Sequence, residues 1–197
     1  SCTRSLCHAA EQAVKISLPW GVMCGIRPAK NAREMSEAGY NENEVRRIFK
    51  DVYEVSEEKT DLALKVAKNE ELLLKEISPN SVSLYIGIPF CPTRCIYCSF
   101  VSTDIRTSGK YMTEFVEKLL LEIDKTAEII KKIGAFVDNI YIGGGTPTTL
   151  SAENIKRICD RLHKYFDFSK IKEFTLEAGR PDTITAEKLK AAIDGGV

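Results

Sequence analysis

The sequence predicts an α/β fold, the N-terminal part of a (β/α) partial barrel with its first three βα units, preceded by a small helical module. Three observations predict it. From Val82 onward short β-rich runs alternate with long amphipathic stretches. Residues before Ser78 carry apolar side chains at helical spacing. The three loops with unusual residues each follow one of the short runs.

Within residues 1–80, the run from Val45 to Tyr53 predicts a helix behind Asn41 as its N-cap. Leu62 to Ile77 predicts another, starting behind Ser56 with Glu57 and Glu58 in its first turn. The stretch Trp20 to Lys30, with Gly21, Gly25 and Pro28, predicts turns in place of a continuing helix. Ser78-Pro79-Asn80-Ser81 breaks the helical pattern and sets a boundary, giving a helical module over 1–80 and a truncated core domain over 81–197. Strands are then expected at Val82–Pro89, Asn139–Ile142 and Lys172–Glu177, and helices at Lys110–Ile133, Ser151–Phe166 and Thr185–Ile193. The right-handed crossover rule makes these strands parallel, with their C-terminal ends on the edge where ligands bind in such sheets. There is no initiator Met, and the last residues stop where a helix would hand over to another strand, so the sequence reads as a fragment of a longer barrel.

Composition narrows the function. The 28 Lys+Arg and 28 Asp+Glu cancel, so nothing supplies the positive field that tracks nucleic acid or an anionic membrane surface. No apolar run approaches the roughly 20 residues that span a bilayer, and Ser1-Cys2-Thr3-Arg4 does not open like a secretory signal; a cytoplasmic protein is expected. Seven cysteines is an odd number, and three of them fall within eight positions, which points to thiols used as ligands in a reducing compartment. Cys2, Cys7 and Cys159 are expected to be packing residues, His8 and His163 surface or capping residues, and Trp20 core.

The first strand runs into Cys91-Pro92-Thr93-Arg94-Cys95-Ile96-Tyr97-Cys98, which brings three thiols onto one short loop. A structural zinc site wants four ligands and a disulfide would strand one cysteine, whereas an iron–sulfur cluster held by three thiolates keeps one iron open. Three simply buried cysteines is the alternative. After the second strand, Gly143-Gly144-Gly145-Thr146-Pro147-Thr148 lacks the side chains that would keep a ligand off the main chain, although close packing of a βα turn explains glycines equally well. It matches neither the dinucleotide nor the P-loop pattern. The third strand ends in Glu177, whose carboxylate can accept hydrogen bonds from an ammonium or from ribose hydroxyls; a charge simply ending a strand is the plainer reading. Arg180 and Asp182 follow Glu177 closely enough to form a local ion pair, with a cofactor role as the alternative.

At these loops the chain resembles the radical S-adenosylmethionine (SAM) superfamily. More narrowly it is similar to the oxygen-independent coproporphyrinogen III oxidase family, through Tyr85 to Phe100, Gly143 to Thr148 and Leu176-Glu177-Ala178. The helical module with Gly25-Ile26-Arg27-Pro28 further resembles the coproporphyrinogen dehydrogenase type of the clostridial and bacillar branch. The resemblance implies that Cys91, Cys95 and Cys98 ligate a [4Fe-4S] cluster whose fourth iron is chelated by SAM. It implies that Tyr85, Gly144 and Glu177 hold this SAM, and that Tyr97, Gly145 and Thr146 face a second SAM or the substrate. A porphyrinogen substrate and a protein electron donor such as flavodoxin or ferredoxin follow from it; no catalytic residue is assigned. Two positions depart from the family, with Phe100 where the well-studied oxidases have a fourth cysteine and Gly87 where they have a histidine. The heme-chaperone relatives also lack that cysteine, so a heme-binding chaperone is the alternative to the enzyme, which the long helical leader favours. Without the strands that complete the SAM and porphyrin sites, this chain alone is expected to be inactive.

Overall fold

A computed structural model describes residues 2–23 and 27–197, and the chain divides into two units, Ser1–Ile77 and Ser78–Val197. In the first unit the helices are α1 (Cys2–Val14), α2 (Pro28–Glu37), α3 (Glu42–Asp51) and α4 (Glu57–Leu74). Asn41 caps α3 reciprocally: its side chain accepts from the Glu44 backbone N–H at 3.1 Å, and Glu44 accepts from the Asn41 N–H at 2.8 Å. Ser56 caps α4 by accepting from Lys59 N. The core holds Ala32, Val45, Phe49, Val55, Ala63 and Ala67, with Trp20 packed against it.

Two expectations need correcting here. The stretch 20–30 is not turn throughout, because Pro28 opens α2; at the first helical position its missing N–H costs nothing and its fixed φ suits the helix. Cys24, Gly25 and Ile26, and with them half of the Gly25-to-Pro28 run, lie outside the described residues. Cys2 is not a packing residue, since it is exposed on a helix that buries no side chain. Cys7 is half-buried, and His8 stands on the surface 2.6 Å from Glu54.

The second unit runs β1 (Ser81–Ile88), β2 (Phe90–Cys91), β3 (Thr103–Asp104), α5 (Ile105–Ser108), α6 (Met112–Lys132), β4 (Phe136–Gly144), α7 (Ala152–Tyr165), β5 (Glu173–Leu176) and α8 (Ala186–Asp194). Strands β1, β4 and β5 form one parallel sheet in the order β1-β4-β5, and the second and third are joined to their predecessors through helices, as βαβ units require. The pleat sorts the side chains. Ile86, Ile88, Ile140 and Ile142 are buried in the core with Leu120 and Ile158 of the helices, while Tyr85 and Gly87 pair with Tyr141 and Gly143 on the alternate positions.

β4 starts earlier than expected, at Phe136, and its ladder with β1 shifts register at Asp138: Val82 pairs with Val137 and Ser83 with Asn139, which leaves Asp138 as a bulge unpaired with β1. Its carboxylate is buried yet accepts from Ser83 Oγ at 3.3 Å and Asn139 Nδ2 at 2.8 Å, which is how a polar group is tolerated there. β2 and β3 pair over two residues, too short a bridge for any sequence pattern to announce. Near the C-terminus His163 Nε2 lies 2.9 Å from the Gly195 carbonyl and the ring stacks on Phe168 at 3.5 Å, a capping role beyond the last turn of α8.

Cys159 is fully buried in α7, and burial pushes its thiol up to about 11. Because alkylation needs the thiolate, native Cys159 is expected to resist iodoacetamide at pH 8.5 and to react once urea unfolds the chain, read by peptide mass spectrometry. A raised folded-state value contributes stability that is complete below the unfolded thiol's value of about 8.5 and is lost as pH rises toward 11, so the urea midpoint should fall over that window more in the wild type than in Cys159→Ala.

Candidate active site

The cysteine loop is held at its base. Phe90 is buried and sets its ring edge-on to Phe115 at 5.3 Å, Thr103 N donates to Pro89 O at 2.7 Å, and Cys91 pairs with Asp104 across the β2–β3 bridge. Farther out, Cys98 N donates to Cys95 O at 3.0 Å and the Arg94 guanidinium to Cys98 O at 3.2 Å, which folds the last two cysteines into one turn. All three thiols are free and half-buried, while Ile96 and Tyr97 are exposed at the tip.

The glycine run is pressed onto this loop. Gly144 has φ +105°, and a Cβ there would sit 3.0 Å from Ile88 N and 3.1 Å from Ile88 O, so glycine is required by conformation and by space. A Cβ on Gly145 would meet Phe90 O at 2.9 Å and both Cys91 Sγ and Ile88 O at 3.0 Å; its own N–H donates to Ile88 O at 2.7 Å. Close packing therefore accounts for these two glycines, and its effect is to bring the loops together. Thr146 is buried, and its Oγ1 lies 3.4 Å from Cys91 Sγ as a donor.

At the end of β5, Glu177 N donates to Ile142 O at 2.9 Å, carrying the ladder one residue past the strand. Tyr141 Oη donates to Glu177 Oε1 at 2.5 Å, and this bond to a carboxylate, aided by burial, holds the phenol above its ordinary value. Tyr141 was not singled out in the sequence; the signal was its place two residues before Gly143, on the same side of the pleat. Arg180 forms the expected pair with Asp182 at 3.3 Å and also reaches the cysteine loop, donating to Thr93 Oγ1 at 2.9 Å and approaching Cys95 Sγ at 3.8 Å.

These loops enclose a cavity of about 510 Å³. Of the nine residues expected at the site, it gathers Cys91, Cys95, Cys98, Gly144, Gly145, Thr146 and Glu177, with Arg180 beside them. Tyr85 and Tyr97 do not line it. Tyr85 stacks on Tyr141 at 5.8 Å with its ring largely exposed, and Tyr97 projects from the tip, its hydroxyl raised above its usual range by a hydrogen bond to Cys95.

Among the described residues no three His, Cys, Asp or Glu side chains close on one point as a single metal ion requires. Cys91, Cys95 and Cys98 all line the one cavity, and among the described residues that line it no histidine or further cysteine adds to them as structural zinc would want. That donor set fits a polynuclear iron–sulfur centre with one open corner.

The same region is what the chain shares with known proteins. Residues 85–197, from the middle of β1 to the last residue, match the sequence model of the radical SAM superfamily, and the chain belongs to that superfamily. Membership implies a [4Fe-4S] cluster and SAM as cofactors. The chain is 36% identical over 177 residues to the oxygen-independent coproporphyrinogen-III oxidase-like protein HemZ of Bacillus subtilis (strain 168), covering 88% of this chain and 35% of that protein. It is 31% identical over 140 residues to the anaerobilin synthase of Escherichia coli O157:H7, covering 68% and 31% respectively. It is 37% identical over 118 residues to the heme chaperone HemW of Bacillus subtilis (strain 168), covering 58% and 29%. The chain thus spans about a third of the length of these relatives. No solved structure matches it.

The packing of the glycine run makes a test. Gly145→Ala is expected to destabilise the second unit by about 1–3 kcal/mol and to lower iron uptake on anaerobic reconstitution, because backbone oxygens and the Cys91 sulfur all crowd the new methyl. Urea unfolding and iron per chain check it.

Proposed function

We propose that the chain is part of a radical SAM enzyme that converts coproporphyrinogen III to protoporphyrinogen IX without oxygen, each of two propionates losing a hydrogen atom, CO₂ and one electron to leave a vinyl group. The observation that carries this reading is the extent of similarity. The match to the oxidase-like protein covers 88% of the chain and therefore includes much of the helical unit, whereas the match to the heme chaperone covers 58%.

Cys91, Cys95 and Cys98 would hold the cluster. When bound, cluster and SAM supply the one-electron cleavage of the sulfonium that makes hydrogen abstraction from a propionate possible. The chain's own residues prepare the place. Glu177, with one oxygen fixed by Tyr141, presents the other as an acceptor for an ammonium or ribose hydroxyl. Gly144 and Gly145 keep the strand edge free of side chains, and Thr146 steadies the Cys91 sulfur from below. A one-electron donor such as flavodoxin or ferredoxin fits this chemistry. No described helix is long and apolar enough to cross a membrane, and we place the protein in the cytoplasm, where its free thiols stay reduced.

A heme-binding chaperone on the same scaffold is the second reading, favoured by Phe100, which lines the cavity in place of a fourth cysteine. The complete protein, given reductant, SAM and coproporphyrinogen III, should yield the vinyl product, and the variant with Cys91, Cys95 and Cys98 all changed to Ala should lose both product and iron. The 197-residue chain alone should give no product. Stoichiometric heme binding without turnover by the complete protein would instead establish the chaperone.

Gly87 offers a finer probe. A Cβ there would meet only Tyr85 Cε1, at an ordinary 3.7 Å, so the strand leaves room for a side chain to begin at this position. Gly87→His in the complete enzyme is expected to leave the urea midpoint essentially unchanged and to lower KM for the porphyrinogen about 2- to 10-fold, the worth of one added hydrogen bond. An unchanged KM would mean that no substrate group reaches this position.

A further inference from the structure

On the reading that Cys91, Cys95 and Cys98 hold the cluster, we propose that Arg180 is a positioning residue that raises the cluster's affinity for its incoming electron by donating to the Cys95 sulfur. Its guanidinium is engaged along two edges. Nε and Nη2 each lie 3.3 Å from an oxygen of Asp182, and Nη1 lies 2.9 Å from Thr93 Oγ1 and 3.8 Å from Cys95 Sγ. A planar fork fixed on one edge by a carboxylate cannot swing away from what its other edge faces. Thr93 sits two residues before Cys95, so Arg180 grips the cysteine loop by a hydroxyl and a sulfur from the end of a different strand.

The position of the charge gives this grip an electrostatic effect. Arg180 is 27% exposed, so much of its field passes through protein and is only partly screened. A cluster that accepts one electron gains one negative charge on its iron and sulfur atoms. A cationic donor at a ligating sulfur stabilises the reduced form more than the oxidised one, and hydrogen bonds to sulfur are among the levers that set cluster potentials. Cys91 differs, since its partner is the neutral Thr146 hydroxyl. Arg180 also lies three residues beyond Glu177, so one loop carries both the proposed SAM-binding carboxylate and the cation on the cluster side of the same cavity.

The test is an EPR-monitored redox titration of anaerobically reconstituted holoprotein as wild type, Arg180→Gln and Arg180→Lys, with iron and sulfide measured on each. Iron content is expected to be equal in all three. At a fixed low potential, the ratio of reduced to oxidised cluster should fall about tenfold in Arg180→Gln, equivalent to about 59 mV for a one-electron couple, with Arg180→Lys between because it keeps the charge and loses the fork. Full iron with unchanged potentials in both variants would overturn this inference and leave the cluster site intact. If Arg180→Gln alone fails to load iron, the Lys variant decides: a lowered potential supports the inference and an unchanged one overturns it. Iron absent from the wild type as well would overturn the cluster reading, and this inference with it.

Discussion

The site depends on one approach of backbone to backbone, where the end of β4 is pressed against the end of β1. Ile88 pairs with Gly144 in the parallel ladder, and the Gly145 N–H reaches back 2.7 Å to the Ile88 carbonyl. Any side chain at either glycine would push into Ile88, Phe90 or Cys91. Because β1 runs almost directly into the cysteine loop, closing this gap fixes where the loop starts. The buried isoleucines on one side of the pleat anchor both strands in the core, so hydrophobic burial is what holds the approach closed.

A second layer of order comes from the loop after β5, which carries a carboxylate and a guanidinium three residues apart and sends them to different partners. Glu177 is taken by the Tyr141 phenol, while Arg180 is taken by Asp182, Thr93 and Cys95. The two charges pair with other groups and not with each other, and both residues line the cavity.

Much of the fold was legible because its signals are local. Alternating strands and helices, the N-caps Asn41 and Ser56, and the break at Ser78–Ser81 are written in neighbouring residues, and so are the three cysteines. What was not legible depends on register or on partners far along the chain. The strand was expected from Asn139, and the buried Asp138 just before it takes one of its hydrogen bonds from Ser83 on another strand. Tyr141 acquires its role only when β5 brings Glu177 alongside, and Arg180 only when the cysteine loop folds toward it. Thr146 lines the cavity and its hydroxyl also donates to Cys91, a contact that spacing cannot convey. Cys2 illustrates the opposite failure: helical position alone says nothing about which side of a helix finds a neighbour.

The three sulfurs are not equivalent in how the protein places them. Cys91 is part of a strand, moored by the sheet and by Thr146, whereas Cys95 and Cys98 belong to a surface turn closed by a single backbone bond and two arginines. An inorganic centre built on such a trio would meet one preset anchor and two followers. Assembly and oxidative loss would then be ordered events that begin or end at the turn, while the strand-borne thiol keeps its station throughout.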